Sequence, residues 1–296
     1  MTLENKYIEK FNIKVNYDTS SISWLKSGGI VTYFVTVKNY NQLVNLFKII
    51  NQKNLPHLIV GNFSNILIRS SGFNGILIKL SSEFTEIKIL DNSILVGASV
   101  LDNFLARFCY NNSITGYEYL FTIPGTVGGN IFMNAGCYGN DISKNIKSIN
   151  VFDTKTLSKE IVFVDQINFK YRRGYQKENK VILNAEMNLD YEEKTIIKKK
   201  IIEFDNLRKK TQPQKVNCCG SIFKNPPNKS AWELIRTSVD ETYYYGEVKL
   251  SKTHSNFFEN DKNISSEILE NFLIDIEKKV FNKHQIKLER ELRIIG

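Results

Sequence analysis

Residues 123–140, Ile-Pro-Gly-Thr-Val-Gly-Gly-Asn-Ile-Phe-Met-Asn-Ala-Gly-Cys-Tyr-Gly-Asn, place the tightest demand on any fold this chain adopts. They hold five of its 16 glycines, Gly125, Gly128, Gly129, Gly136 and Gly139, with Pro124 fixing the entry and no charge before Asp141. Glycine is required where the backbone takes a positive φ or lies against something flat with no Cβ in the way. A planar cofactor ring poses that requirement. A buried turn between two strands poses it too, and for an isolated Gly-Gly pair that would be the stronger reading. The density of small residues favours the cofactor, as do Thr126 and Asn134, polar groups that a buried segment keeps only with partners.

Around this stretch the pattern alternates between strands and helices. A β-rich run occupies 30–35, and Leu43, Leu46, Phe47 and Ile50 recur at helical spacing up to about residue 54. A short strand at 57–60 enters the loop Gly61-Asn62-Phe63-Ser64-Asn65, which leads to strands at 66–68 and 76–80. Strand, glycine loop, strand excludes a Rossmann or P-loop unit, whose glycines open a helix. Phosphate held at this loop would sit on backbone amides arranged as a nest, with Ser64 and Asn65 adding donors. A hairpin at 87–90 and 94–97 follows, then a helix marked by Leu101, Phe104, Leu105 and Phe108, and strands at 149–152, 160–164 and 180–189. A charged helix over about 192–210 leads to a second region. That region has a helix capped by Ser230 with Glu233 three residues on, a longer helix through Leu269, Phe272, Leu273, Ile276 and Val280, and a closing strand at 286–295.

The balance of 40 basic to 31 acidic residues, a net charge of +9, raises the question of nucleic acid. The lysines, however, are scattered or lie on helix faces such as 198–200, and a diffuse positive field serves anionic small molecules equally well. The reading is an anionic nucleotide or phosphorylated ligand and no nucleic acid. Cys109, Cys137, Cys218 and Cys219 form neither a CxxC pair nor a zinc pattern, so the expectation is reduced, structural thiols and no metal. No apolar run reaches the length of a membrane span and residues 1–10 carry four charges, which makes the cytoplasm the expected location, with no membrane partner.

Three motifs line up in order: Gly61-Asn62-Phe63-Ser64-Asn65, the 123–129 stretch with Met133-Asn134-Ala135-Gly136-Cys137-Tyr138-Gly139, and Gly220-Ser221-Ile222-Phe223-Lys224-Asn225-Pro226. In this spacing, together with Tyr171-Arg172, Gln212-Pro213, residues 251–257 and the terminal Glu291-Leu292-Arg293-Ile294-Ile295-Gly296, the chain resembles the UDP-N-acetylenolpyruvoylglucosamine reductases, the MurB family, and by its length the shorter type II branch. The resemblance implies an α+β fold: an FAD-binding domain of the vanillyl-alcohol-oxidase (PCMH) type over 1–194, in two subdomains split near residue 80, and an α+β substrate-binding domain over 195–296. It further implies a monomer that binds FAD non-covalently, takes NADPH as co-substrate and acts on a UDP-sugar, transferring hydride from flavin N5 to the vinyl carbon of an enolpyruvyl ether.

Carried over residue by residue, the resemblance makes Gly61, Asn62, Ser64, Asn65, Pro124, Gly125, Thr126, Gly128, Gly129, Asn134 and Gly136 the cofactor-binding set. Arg172 matches the arginine that meets the substrate carboxylate, although Arg173 beside it is equal on residue type alone. Ser221 matches the proton donor, a role that needs a neighbouring cation such as Lys224 to make its hydroxyl acidic enough. Glu291 matches the glutamate that polarises the carboxyl group of the intermediate. Tyr171, Lys224 and Asn225, and with them His254 and Asn256, match positions near the nucleotide. Four positions depart from the pattern: Phe63 stands where the family has glycine, Gly174 replaces a serine, Lys249 a glutamine and Arg290 a proline. Two alternatives remain: a flavin-dependent oxidoreductase of the same fold acting on another small molecule, and a non-catalytic nucleotide-binding relative.

Overall fold

The computed structural model describes residues 3–240, 243–260 and 262–296. The chain divides into two compact units, each built from separated segments. The first comprises 1–15, 33–62 and 75–206, and the second 16–32, 63–74 and 207–296. Most of the first unit lies before residue 194 and most of the second after it, with 16–32 and 63–74 joining the second.

In the first unit, helix Tyr40–Lys53 forms where the 3.6-residue pattern predicts it. Asn39 caps its start, Oδ1 accepting from the N–H of Gln42 at 2.9 Å, and Asn54 ends it in the left-handed conformation. Its apolar stripe, Leu43, Leu46, Phe47 and Ile50, is buried over a sheet ordered Lys14–Asp18, Ile30–Val37, Phe73–Leu80, His57–Val60, the last two strands pairing in parallel. A second sheet runs in the order Lys159–Phe163, Ile146–Asp153, Lys180–Asn188, Ser93–Gly97, Ile87–Ile89, every neighbour antiparallel. Its inner face shares a core with helices Asp102–Asn111 and Val127–Met133, centred on Val96, Leu105, Ile131, Ile149 and Met187.

Helix Val127–Met133 is absent from the sequence reading, as is helix Asn5–Phe11. Two successive glycines cost a helix about 1 kcal/mol each relative to alanine. Packing overrides that cost here: a Cβ on Gly128 would stand 2.9 Å from Ala98 Cβ and 3.0 Å from Ala98 O, so only glycine lets the helix approach its neighbour. The closing strand is also shorter than predicted, Arg293–Ile295.

The second unit packs helices Ala231–Ser238 and Ser266–His284 against a three-stranded antiparallel sheet, Tyr244–Tyr245, Val248–Leu250 and Phe258–Glu259, around Phe223, Phe258 and Phe272. Strand Arg293–Ile295 pairs in parallel with Ile66–Ile68. The helix cap at Ser230 differs from expectation. The Ser230 side chain makes no cap, and Asn225 Oδ1 accepts from the N–H of Ala231 at 3.0 Å instead.

Two of the departures have a role in this unit. Lys249 faces Glu259 across paired strands, with 3.2 Å between charged atoms. Arg290 forks onto Glu277, and its Nη1 lies 3.4 Å from Glu270, which itself receives a two-pronged contact from Arg69. The hydrogen bond from Arg69 holds the Glu270 carboxyl below its ordinary value. A carboxyl depressed in the folded state stabilises fully above its unfolded pKa, about 4.3, and that contribution disappears as pH falls through the lower folded value. Urea unfolding midpoints of the wild type should therefore fall below about pH 4.3. Glu270→Gln should start lower at neutral pH and show a smaller acid-dependent fall.

Candidate functional site

The two glycine-bearing motifs of the first unit meet at Thr126. A Cβ on Gly61 would lie 2.7 Å from Thr126 Oγ1, and one on Gly129 would lie 3.3 Å from the same atom. Gly129 is exposed and Gly61 half-buried, so bare backbone stands on two sides of one threonine side chain. Thr126 Oγ1 also accepts from the N–H of Gly129 at 3.3 Å and so caps helix Val127–Met133. The first amides of that helix are already used: Val127 donates to Val100 O at 2.9 Å and Gly128 to Ala98 O at 2.8 Å. Side-chain-free backbone beside a hydroxyl is a cradle suited to a flat or phosphorylated group, and on that observation the residues fit a flavin nucleotide. Asn62 and Pro124 are half-buried alongside, and Gly125 is buried.

Other members of the predicted cofactor set hold the protein itself. Asn134, 5% exposed and in the left-handed conformation, ends the helix; its Nδ2 donates to Lys170 O at 3.0 Å and its Oδ1 accepts from the N–H of Ser143 at 3.3 Å. A Cβ on Gly136 would meet Asn140 O at 2.0 Å, so that glycine serves the 136–141 hairpin.

Asn134 anchors the turn that carries the predicted arginine. Lys170 and Arg173 exchange backbone hydrogen bonds of 2.8 and 3.0 Å, which leaves Tyr171 and Arg172 as the two turn residues. Arg172 has φ +54°, a position in a tight turn that favours glycine or asparagine. Its Nη2 donates to Gly136 O at 2.9 Å, and its guanidinium lies 5.1 Å from the ring centre of the exposed Tyr171. Arg173, the competitor on residue type, is exposed. Gly174 follows under compulsion, because a Cβ there would fall 1.8 Å from Ile131 O. The serine expected at this position has no room in this chain.

In the second unit, Ser221, Asn65 and Glu291 come together. Ser221 follows Gly220, whose φ of +79° only glycine adopts freely. The next residue pins the segment: Ile222 N–H donates to Asn256 O at 2.9 Å, while Ile222 O accepts from the N–H of Glu291 at 2.7 Å. Asn65 Nδ2 donates to Glu291 O at 3.1 Å, and Asn65 O accepts from the N–H of Arg293 at 3.2 Å. Asn65, a member of the expected cofactor set, therefore also holds the backbone on both sides of Leu292. Lys224 pairs with the exposed Glu289, and its own N–H donates to Glu289 O at 2.8 Å. Asn256, 2% exposed, clasps both the N–H and the carbonyl of Phe223, so it belongs to the scaffold. Burial lowers the pKa of His254, which packs between Trp232 and Phe257.

Phe63, the glycine-to-aromatic departure, keeps the left-handed geometry with φ +53° and is 3% exposed. The backbone strain of about 1–2 kcal/mol is offset by burying the ring, worth about 1.5–3 kcal/mol. Phe63→Ala should therefore destabilise the protein by about 3 kcal/mol, and Phe63→Gly by less because it relieves the strain. Urea denaturation of both variants measures the difference.

A sheet-and-helix unit with this bare-backbone cradle defines the protein as an FAD-binding α+β flavoprotein. A family model described as FAD binding domain matches residues 31–156, and one described as UDP-N-acetylenolpyruvoylglucosamine reductase, C-terminal domain, matches 212–295. The UDP-N-acetylenolpyruvoylglucosamine reductase of Rickettsia massiliae (strain Mtu5) is 36% identical over 98% of this chain and 97% of its own length. That of Rickettsia prowazekii (strain Madrid E) is 35% identical over the same shares. The crystal structure of the Thermus caldophilus reductase shares the fold with a TM-score of 0.82 at 24% identity, over 96% of this chain and 100% of that one. The chain belongs to the UDP-N-acetylenolpyruvoylglucosamine reductase family. Among the described residues, no helix is long and apolar enough to cross a membrane.

Proposed function

We propose that this chain reduces UDP-N-acetylenolpyruvoylglucosamine to UDP-N-acetylmuramate, a step of peptidoglycan precursor synthesis, using non-covalently bound FAD and NADPH as reductant. The observation that carries the reading is Arg172, an arginine held in a backbone conformation that glycine prefers, with its guanidinium anchored on Gly136 O. Strain at an arginine whose head group is itself held in place is one mark of a side chain that a function requires.

When bound, FAD supplies the chemistry that moves a hydride from nicotinamide to the substrate double bond. Addition to an alkene beside a carboxylate drives negative charge onto that carboxylate. Arg172 meets the charge with forked, charge-assisted hydrogen bonds. Ser221 gives its hydroxyl proton to the carbon adjacent to the carboxylate, and Glu291, braced by Asn65 and Ile222, polarises the carboxyl group. Tyr171, Lys224 and Asn225 contact the nucleotide, the last two from a segment whose backbone is already fixed. Gly61, Asn62, Ser64, Asn65 and the 124–129 backbone hold FAD.

In this reading residues 1–194 form the FAD-binding part and 195–296 the substrate-binding part. The protein acts as a cytoplasmic monomer on a soluble nucleotide sugar with no nucleic-acid partner, consistent with its dispersed lysines. The ion pair of Lys249 with Glu259 and the packing around Gly174 give those two departures structural reasons, so neither argues for a different substrate. Steady-state assay tests the proposal: NADPH oxidation should depend on the enolpyruvyl nucleotide and yield UDP-N-acetylmuramate by mass spectrometry. NADPH oxidation indifferent to that nucleotide would overturn it.

A further inference from the structure

Beneath Gly125 the fold buries a carboxyl group for which the mechanism above has no use. Asp102 is fully buried, and neither of its oxygens has a hydrogen-bond partner; Asn130, 4% exposed, likewise leaves its Nδ2 unpartnered. Both side chains converge on one point. A Cβ on Gly125 would stand 2.6 Å from Asp102 Oδ2 and 3.3 Å from Asn130 Oδ1. The surrounding backbone is laced together: Asp102 N–H donates to Gly125 O at 3.3 Å, Leu101 bridges Thr126, and Val127 N–H donates to Val100 O. Buried polar groups are normally satisfied, and an unpaired carboxylate in such a place would cost several kcal/mol.

We propose that Asp102 and Asn130 form a neutral, proton-sharing pair, the Asp102 hydroxyl donating to Asn130 Oδ1, which locks the Gly125–Thr126 backbone in the shape that receives FAD. Asp102 is thus a positioning residue for the cofactor, an inference that rests on the FAD reading above. Burial pushes the Asp102 carboxyl well up from its ordinary value, and the smaller opposing influence of the Asn130 amide does not restore it. No cation acts on it among the described residues. The other titratable group that senses it is Tyr119, itself 2% exposed, whose phenol is pushed well up mainly by burial. A protonated carboxyl supplies a donor for Asn130 Oδ1, and a neutral pair costs far less to bury than a charge. The pair also explains Gly125, because any side chain there would occupy the space the two oxygens share.

Two measurements test this. Infrared difference spectra of wild type against Asp102→Asn at neutral pH should show the carbonyl band of a protonated carboxylic acid lost in the variant; carboxylate bands in its place would overturn the proposal. Titration of the apo-proteins with FAD, followed by flavin fluorescence, should find Asp102→Asn within about threefold of wild type. Asp102→Ala and Asn130→Leu should bind about tenfold to a hundredfold more weakly. Unchanged affinity in Asn130→Leu would overturn the pairing even if Asp102→Ala fails to fold. A wild-type protein that binds no FAD would instead overturn the functional reading, and this inference with it.

Discussion

Ser221→Ala is expected to purify with its flavin, to be bleached by NADPH at the wild-type rate, and to reduce the enolpyruvyl nucleotide about 10²–10⁴ times more slowly. The split follows from where the hydroxyl acts. Ser221 lies in the second unit, in a segment held by the Asn256 and Glu291 backbones, whereas the FAD cradle around Thr126 belongs to the first. Losing the hydroxyl removes a proton donor and leaves that scaffold intact, because the hydrogen bonds that fix the segment run through the backbone of Ile222. Stopped-flow absorbance of the two half-reactions separates the effects. A variant that turns over at the wild-type rate would remove Ser221 from the chemistry, and one that loses flavin would make it a scaffold residue.

Arg172 offers the second large effect, and a test in which stability and activity move apart. Arg172→Lys and Arg172→Gly should both lose about 10²–10³ in turnover, since a lysine cannot form the fork and glycine has no charge. Their stabilities should differ. At φ +54° lysine keeps a strain of about 1 kcal/mol that glycine releases, so the glycine variant should melt above the lysine variant. An arginine that served the turn alone would give variants of normal turnover.

The regular part of this fold was legible in the sequence. Leu43, Leu46, Phe47 and Ile50 announced a helix because burial of one stripe dictates their spacing, and the strands of both sheets announced themselves by apolar runs, except the polar, exposed edge strand Lys14–Asp18, which the sequence did not show. Local propensity misled where long-range packing governs. Gly128 and Gly129 look like breakers, yet the close approach to Ala98 makes glycine the residue that lets a helix form there. Ser230 followed by Glu233 has the form of a cap, but Asn225, five residues earlier, supplies it. Several residues expected at cofactor or nucleotide hold backbone in this structure: Asn134 the Tyr171–Arg172 turn, Asn65 Glu291, Asn256 Phe223. An asparagine in a loop has the same appearance in sequence whether its amide meets a ligand or a backbone carbonyl. Asp102 escaped notice for a related reason: an acid in the first turn of a helix normally faces solvent and complements the helix dipole. Only the folded chain shows it fully buried under Gly125.

The most direct test of the central claim is anaerobic visible spectroscopy of the purified protein. NADPH should bleach the flavin absorbance, and one equivalent of UDP-N-acetylenolpyruvoylglucosamine should restore it within the time of a single turnover. Bleaching that this nucleotide fails to reverse, while oxygen reverses it at once, would contradict the account.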